Sequence, residues 1–120
     1  MRNMKKIFHL ESCKTCQKIL TELQPLDGVE IREIKSKGVT LEELEEMRAM
    51  TDSYESLFSR RAMLFRQRGL NNQELGEEDY KNLILEHYTF LKRPVVLVDD
   101  HIFIGNAKKQ VEGAKAALHG

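Results

Sequence analysis

The sequence lacks an excess of charge of either sign and has no long apolar run. Nineteen lysines and arginines balance nineteen aspartates and glutamates, which disfavours a protein whose main task is to bind the phosphate backbone of nucleic acids. No stretch approaches the roughly twenty apolar residues that span a bilayer. The basic N-terminus at residues 1–6 is followed by neither an apolar run nor a small-residue cleavage site, so we predict no signal peptide. We therefore expect a cytoplasmic protein without membrane or direct nucleic-acid partners.

Internal repeats, low-complexity segments and linkers are also missing from these 120 residues. The 41% of hydrophobic and 32% of charged residues supply a core beneath a solvated surface, which disfavours disorder. We predict one domain over residues 1–120 and, from the balanced charge, a monomer. In a cytoplasmic chain, two cysteines are more often redox-active or metal-binding than a structural disulfide.

The order of predicted elements indicates an α/β protein. In chain order they are a strand at 5–10, a helix starting near Cys13 and ending before Pro25, a strand at 29–34, a helix capped by Thr40, a helix through 57–69, a helix at 77–87, strands at 95–98 and 101–104, and a helix capped by Asn106 with Ala107, Val111, Ala114 and Leu118 inward. This is the order of a thioredoxin-like fold with a mixed four-stranded sheet. An all-helical insertion at about 40–90 separates its two halves.

The segment Cys13-Lys14-Thr15-Cys16 carries the chemistry. The unpaired amides at the predicted helix N-terminus favour the Cys13 thiolate, and Lys14 adds positive charge. Cys16 lies one turn later on the same face and is more enclosed. We predict that Cys13 attacks and that Cys16 resolves the intermediate as an intramolecular disulfide. His9, at the end of the first strand, is a candidate to hydrogen-bond the thiolate or to donate a proton.

Other roles for these residues stay open. The CxxC could be half of a zinc site, but two cysteines and four scattered histidines make four ligands hard to assemble, so we predict no metal. The two cysteines could instead be buried and inert. His9 could be an ordinary histidine at a strand end.

Arg93-Pro94 precedes the predicted strand at 95–98. In thioredoxin folds the strand that faces the cysteine loop begins with a cis proline, so we predict a cis bond here, with Arg93 directed at Cys13. The alternative is a surface arginine at the start of an edge strand.

Further arginines lie on the helix predicted through residues 57–69. At about 100° per residue, Arg61 and Arg68 fall within its apolar stripe and Arg60 falls on its flank. A guanidinium on an inner face either binds an oxyanion or pairs with a carboxylate of the protein. Both readings stay open.

These features together resemble the arsenate reductase family that couples to glutathione and glutaredoxin, and its relatives, the Spx-type transcription regulators. The resemblance spans nearly the whole chain and is most specific at residues 7–16 (IFHLESCKTC), 59–70 (SRRAMLFRQRGL) and 91–100 (LKRPVVLVDD). It implies that Cys13 is the family nucleophile, His9 the histidine four residues before it, and Arg93 an oxyanion-binding arginine. Arg61, or alternatively Arg60, matches another basic residue of the family.

The chain also departs from that family pattern. Arsenate reductases of this type have one catalytic cysteine with an arginine soon after it, where this chain has Cys16 and Gln17. They carry a third arginine after the fourth strand, where this chain has residues 104–106 (IGN). These changes favour a dithiol–disulfide switch of the Spx type. However, Spx proteins bind the RNA polymerase α subunit near a glycine that residues 51–54 (TDSY) lack.

The resemblance implies three functions. The first is a thiol-dependent reductase in which Cys13 attacks an oxyanion or a disulfide while Arg93, Arg61, Arg60, Pro94 and Lys14 line the substrate site. It would hold no bound cofactor and would be recycled by glutathione with glutaredoxin or by thioredoxin. The second is a redox-switch regulator that binds RNA polymerase, and the third is a glutaredoxin-like thiol–disulfide exchanger.

Overall fold

The structure, a computed structural model, describes residues 4–120. The helices and strands are β1 Lys5–His9, α1 Lys14–Leu23, β2 Glu30–Glu33, α2 Leu41–Ala49, α3 Met63–Gln67, α4 Glu77–Glu86, β3 Val95–Val98, β4 His101–Ile104 and α5 Lys108–His119. Short 3-10 turns lie at Glu55–Leu57, Leu70–Asn72 and Tyr88–Phe90. The chain divides into two compact units, one of residues up to 37 with residues 93–120, and one of residues 38–92. No helix in the described part of the chain is long and apolar enough to span a bilayer.

The first unit contains a four-stranded mixed sheet in the order β2-β1-β3-β4. β1 runs parallel to β2 and antiparallel to β3, while β3 and β4 form an antiparallel hairpin. All four residues of β3 are buried, as expected of an apolar run inside a sheet. Asp99, at a φ of 53°, makes the tight turn into β4. This topology confirms the predicted thioredoxin-like fold.

Helices α1 and α5 supply the core of the first unit. The buried cluster consists of Ile7, Ile19, Leu23, Val96, Val98, Ala114 and Leu118. The predicted inward positions Ala114 and Leu118 are therefore confirmed, whereas Ala107 is exposed. The predicted cap Asn106 is wrong, because two amides of the first turn donate to the carbonyl of Ala107 at 2.9 and 3.1 Å. That bonding makes Ala107 the N-cap residue of α5.

In the second unit, α2 begins where the sequence predicts. The Thr40 hydroxyl accepts from the Glu43 N–H at 3.1 Å, and the Glu43 carboxylate accepts from the Thr40 N–H at 3.0 Å. This reciprocal pair satisfies two amides that the first turn leaves without helical partners. Helix α4 likewise begins at the predicted residue.

The helix predicted through residues 57–69 is wrong. A 3-10 turn ends at Leu57, Phe58 is extended, and the five-residue α3 follows only at Met63. Phe58 forms an isolated antiparallel bridge with Leu91, and the amides on either side of the bridge bond across it at 2.8 Å. The Phe58 ring is fully buried and stacks on Phe90 at 5.3 Å between centroids. Burial of this ring therefore overrides the local helical pattern.

The arginines of that stretch consequently do not share an apolar helix face. Arg61 is exposed and lies in the turn before α3, outside any helix. Arg68 follows the last residue of α3 and bonds to the Glu86 carboxylate at 2.6 Å. This bond favours the ion-pair alternative for Arg68.

Candidate active site

Cys13 is the N-cap residue of α1, at the junction with β1. Its N–H donates to the Leu10 carbonyl at 3.0 Å, which closes a tight turn after the strand. Its own carbonyl accepts from the Gln17 N–H at 3.1 Å, the first bond of the helix. The side chain is half-buried, and neither cysteine is in a disulfide. The thiol is therefore held at the positive end of a helix while remaining reachable.

The surroundings of Cys13 stabilise its thiolate. Partial burial acts to raise the pKa of Cys13, but the backbone N–H and the thiol of Cys16, together with the charge and hydrogen bonding of Arg93, outweigh it and lower that pKa. Donors and cations favour the charged form of an acid, whereas desolvation disfavours it. Lys14 is exposed and is not among these groups.

Cys16 has the opposite character. It is fully buried on the inner face of α1. Burial, aided by the neighbouring Cys13 sulfur, raises the pKa of Cys16 to about 11. Two thiols within one helical turn therefore differ sharply, one prepared to ionise and one kept protonated.

Arg93 and Pro94 belong to the same unit as the cysteines. The Arg93–Pro94 peptide bond is cis, as the sequence predicts. Pro94 is buried, and its carbonyl accepts from the Gly105 N–H at 2.9 Å. The Arg93 guanidinium lowers the pKa of Cys13, so the structure brings these two predicted site residues together.

His9 is the last residue of β1 and is only 8% exposed. The amide nitrogen of Gln17 contacts its Nδ1 at 3.3 Å and donates to the Leu10 carbonyl at 3.2 Å. His9 is not among the groups that most shift the pKa of Cys13. Its contacts therefore tie it to α1 through Gln17.

A carboxylate that sequence reasoning missed anchors the loop before Cys13. Glu33 accepts from the Glu11 N–H at 3.0 Å. The same carboxylate accepts from the Lys35 N–H at 2.9 Å and from the Ser36 N–H and hydroxyl at 2.8 and 2.9 Å. Although desolvation opposes it, these donors lower the pKa of Glu33 to about 2.

Strand register was the signal that could have found Glu33. His9 and Glu33 are partners in the parallel pairing of β1 with β2. Residues at the carboxyl ends of adjacent parallel strands meet at one sheet edge, which here borders the cysteine loop. Gln17 offered a similar signal, since it lies one helical turn after Cys13.

The remaining predicted site residues, Arg60 and Arg61, lie in the second unit. Arg60 donates from Nη2 to the Glu55 carboxylate at 2.6 Å and to the Tyr80 hydroxyl at 2.9 Å. Those partners, with the Glu55 hydrogen bond foremost, raise the pKa of Arg60. Arg61 is exposed.

Potential metal ligands do not cluster among the described residues. Within residues 4–120, no group of three or more histidine, cysteine, aspartate or glutamate side chains is arranged to hold a metal ion.

The fold and the paired thiols define a thioredoxin-like protein with a dithiol at the first strand–helix junction. The ArsC family model matches residues 8–114. The chain is 27% identical over 108 residues to the global transcriptional regulator Spx 2 of Bacillus cereus, which covers 88% of this chain and 82% of that protein. The chain therefore belongs to the ArsC family, which includes thiol reductases and Spx-type regulators.

Solved structures agree on the fold. An ArsC family related protein from Bacteroides fragilis superposes with a TM-score of 0.76 at 21% identity, covering 94% of this chain and 99% of that one. Arsenate reductase from Vibrio cholerae gives a TM-score of 0.72 at 18% identity, covering 95% and 99%. These likenesses support the architecture and carry no information about substrate.

Proposed function

We propose that this protein is a dithiol oxidoreductase in which Cys13 attacks and Cys16 resolves. The observation that carries the proposal is the placement of two free thiols within one helical turn, with Cys13 half-buried at the N-cap of α1 and Cys16 fully buried. These surroundings shift the pKa of Cys13 downward and the pKa of Cys16 upward. A thiol of lowered pKa supplies thiolate at neutral pH, whereas one of raised pKa waits as the protonated partner.

The proposed reaction with a disulfide takes two steps. The Cys13 thiolate attacks one sulfur of the substrate, forms a mixed disulfide and expels the first substrate thiolate. Cys16 then attacks the Cys13 sulfur, and its proton leaves with the second substrate thiol. The substrate gains two electrons, and the protein ends as the Cys13–Cys16 disulfide. An external thiol reductant, either glutathione with glutaredoxin or thioredoxin, restores the dithiol without a bound cofactor.

The arginines bear on the choice of substrate. Arg93 acts on the Cys13 thiolate and would neutralise negative charge on a bound oxyanion. Arg60, in the second unit, is already paired with the Glu55 carboxylate, and within the unit that contains Cys13 the exposed Lys14 is the further candidate cation. We therefore propose a disulfide as the primary substrate class and arsenate as the second. The proposed setting is the cytoplasm, and the proposed state is a monomer.

The test is NADPH oxidation coupled separately through thioredoxin and through glutathione with glutaredoxin. Each system receives a small disulfide or arsenate, with wild type, Cys13→Ser and Cys16→Ser compared. We expect turnover that disappears in Cys13→Ser, and a trapped mixed disulfide in Cys16→Ser that mass spectrometry detects. Absence of turnover with both substrates, from protein that still forms the Cys13–Cys16 disulfide, would overturn the proposal.

A redox-switch regulator is the second candidate function. The likeness to Spx 2 and the presence of a second cysteine favour it. Pull-down of purified RNA polymerase α subunit by the reduced and the oxidised protein tests it. Binding that depends on the Cys13–Cys16 disulfide, without turnover, would support the regulator over the reductase.

A further inference from the structure

A neutral imidazole carries its proton on either Nδ1 or Nε2, and the hydrogen bond at one nitrogen decides which. His9 is almost fully buried, so its partners rather than bulk water make that choice. The partner at Nδ1 is the side-chain amide nitrogen of Gln17, at 3.3 Å.

The orientation of the Gln17 amide is fixed by a second bond. The same nitrogen lies 3.2 Å from the Leu10 carbonyl oxygen, which can only accept. Rotating the amide by half a turn would set two carbonyl oxygens against each other with no hydrogen between them. The nitrogen therefore uses one of its protons for Leu10 and directs the other at His9.

A ring nitrogen that accepts a hydrogen bond cannot itself carry a proton. We propose that Gln17 is a positioning residue that selects the tautomer of the neutral His9 imidazole with its proton on Nε2. Nδ1 is then closed to further chemistry, and Nε2–H is the one donor that the ring can offer. Any use of this Nε2–H in the reaction rests on the proposed function. The tautomer itself can be tested without turnover.

Two other histidines supply internal references. His87 Nδ1 accepts from the Thr89 backbone N–H at 3.0 Å, and a backbone amide only donates. His119 Nε2 contacts the Leu23 carbonyl at 2.6 Å, and a carbonyl only accepts. Both residues therefore carry the proton on Nε2, so their nitrogen resonances mark where His9 should appear.

The test is a long-range proton–nitrogen correlation spectrum of uniformly labelled reduced protein. At about pH 8, above the ordinary histidine pKa of about 6.5, we expect His9 to show the same pattern as His87. A His9 spectrum with the proton on Nδ1, or with both tautomers equally populated, would overturn the proposal.

Gln17→Glu tests the cause. A carboxylate accepts and does not donate, so Nδ1 of His9 should gain a proton and its nitrogen resonance should move to the protonated position. Gln24→Glu is the matched control, because it makes the same chemical change at an exposed residue just after the same helix. An unchanged His9 in Gln17→Glu, with His87 and His119 unmoved to show that the fold is intact, contradicts the assignment.

Kinetics separate positioning from any other role of Gln17. If Gln17 acts through His9, then Gln17→Glu should slow disulfide reduction in wild type but not in a His9→Asn background. Equal slowing in both backgrounds would show that Gln17 acts independently of His9 and would refute the positioning role. Failure of the proposed function would appear instead as no turnover in wild type, with the tautomer spectrum unaffected.

Discussion

Replacing Arg93 by glutamine should make Cys13 harder to ionise. The guanidinium lowers the pKa of Cys13 through both its charge and a hydrogen bond. Two unit charges 4 Å apart interact by about 1 kcal/mol in water and about 4 kcal/mol at the effective dielectric typical of a protein surface. Cys13 is half-buried, so we take about 1.5 kcal/mol, which corresponds to about one pKa unit. Arg93→Gln should therefore raise the pKa of Cys13 by about one unit and lower its thiolate fraction near neutral pH by up to about ten-fold.

The assay is the pH dependence of alkylation by iodoacetamide, read by mass spectrometry of tryptic peptides. Trypsin cuts after Lys14, so the two cysteines fall on different peptides and are measured in one experiment. Cys16 gives a comparison within the same protein, because the pKa of its thiol is raised to about 11 even though the charge of Arg93 acts to lower it. The pKa of Cys13 is lowered from its ordinary value while that of Cys16 is raised, so Cys13 should hold far more thiolate near neutral pH and should be alkylated faster. The stronger nucleophilicity of the more basic Cys16 thiolate offsets only part of this difference.

Lys14→Gln and Arg93→Lys are the controls. Lys14 is beside Cys13 in sequence but exposed, so its removal should shift the pKa of Cys13 less than Arg93→Gln does. Arg93→Lys keeps the charge and loses the planar fork, so its shift should be intermediate. An unchanged Cys13 titration in Arg93→Gln, or an equal shift in Lys14→Gln, would refute the reasoning.

Two further predictions concern stability. Glu33 has a pKa lowered to about 2, so its stabilising effect is complete above the unfolded value near 4.5 and is lost as pH falls through 2. Since the carboxylate is partly exposed, Glu33→Gln should lower the free energy of unfolding by about 1 kcal/mol near neutral pH. The variant should also lose less stability than wild type as the pH is lowered, measured by denaturant titration at several pH values. The same loss of stability with falling pH in both proteins would argue against this role of Glu33. Phe58→Ala should cost about 3–5 kcal/mol by chemical denaturation, since the buried ring stacks on Phe90. Met63→Ala, at a residue 75% exposed, should cost almost nothing, and similar losses in both variants would contradict the assignment.

The elements of the sheet were predictable because their signals are local. Residues 95–98 are uniformly apolar and residues 101–104 follow two aspartates, so strand type, length and hairpin could be deduced without knowing the fold. The cap at Thr40 is equally local, since the residue that completes it lies three positions away.

The helix predicted at residues 57–69 was wrong for the opposite reason, since the contact that decides this stretch is distant in sequence. Its apolar spacing is compatible with a helix, but Phe58 is held by a bridge to Leu91, more than thirty residues further along the chain. A pairing over that distance leaves no trace in local periodicity. The same limit affected the arginines, since the bond of Arg60 to Tyr80 depends on how α4 packs within this unit.

The candidate site shows the same division between local and distant signals. The CxxC spacing was enough to predict which thiol is accessible and which is enclosed, because helix geometry puts the first at the N-cap and the second on the inner face. It could not indicate what Gln17 does, since its partners, Leu10 and His9, become neighbours only when β1 leads into α1. The arsenate reductases that this chain resembles have an arginine soon after the cysteine. This chain has Gln17 instead, which carries no charge and which we propose positions His9. The loss of that cation weakens an oxyanion site, which favours the disulfide that we propose as the primary substrate.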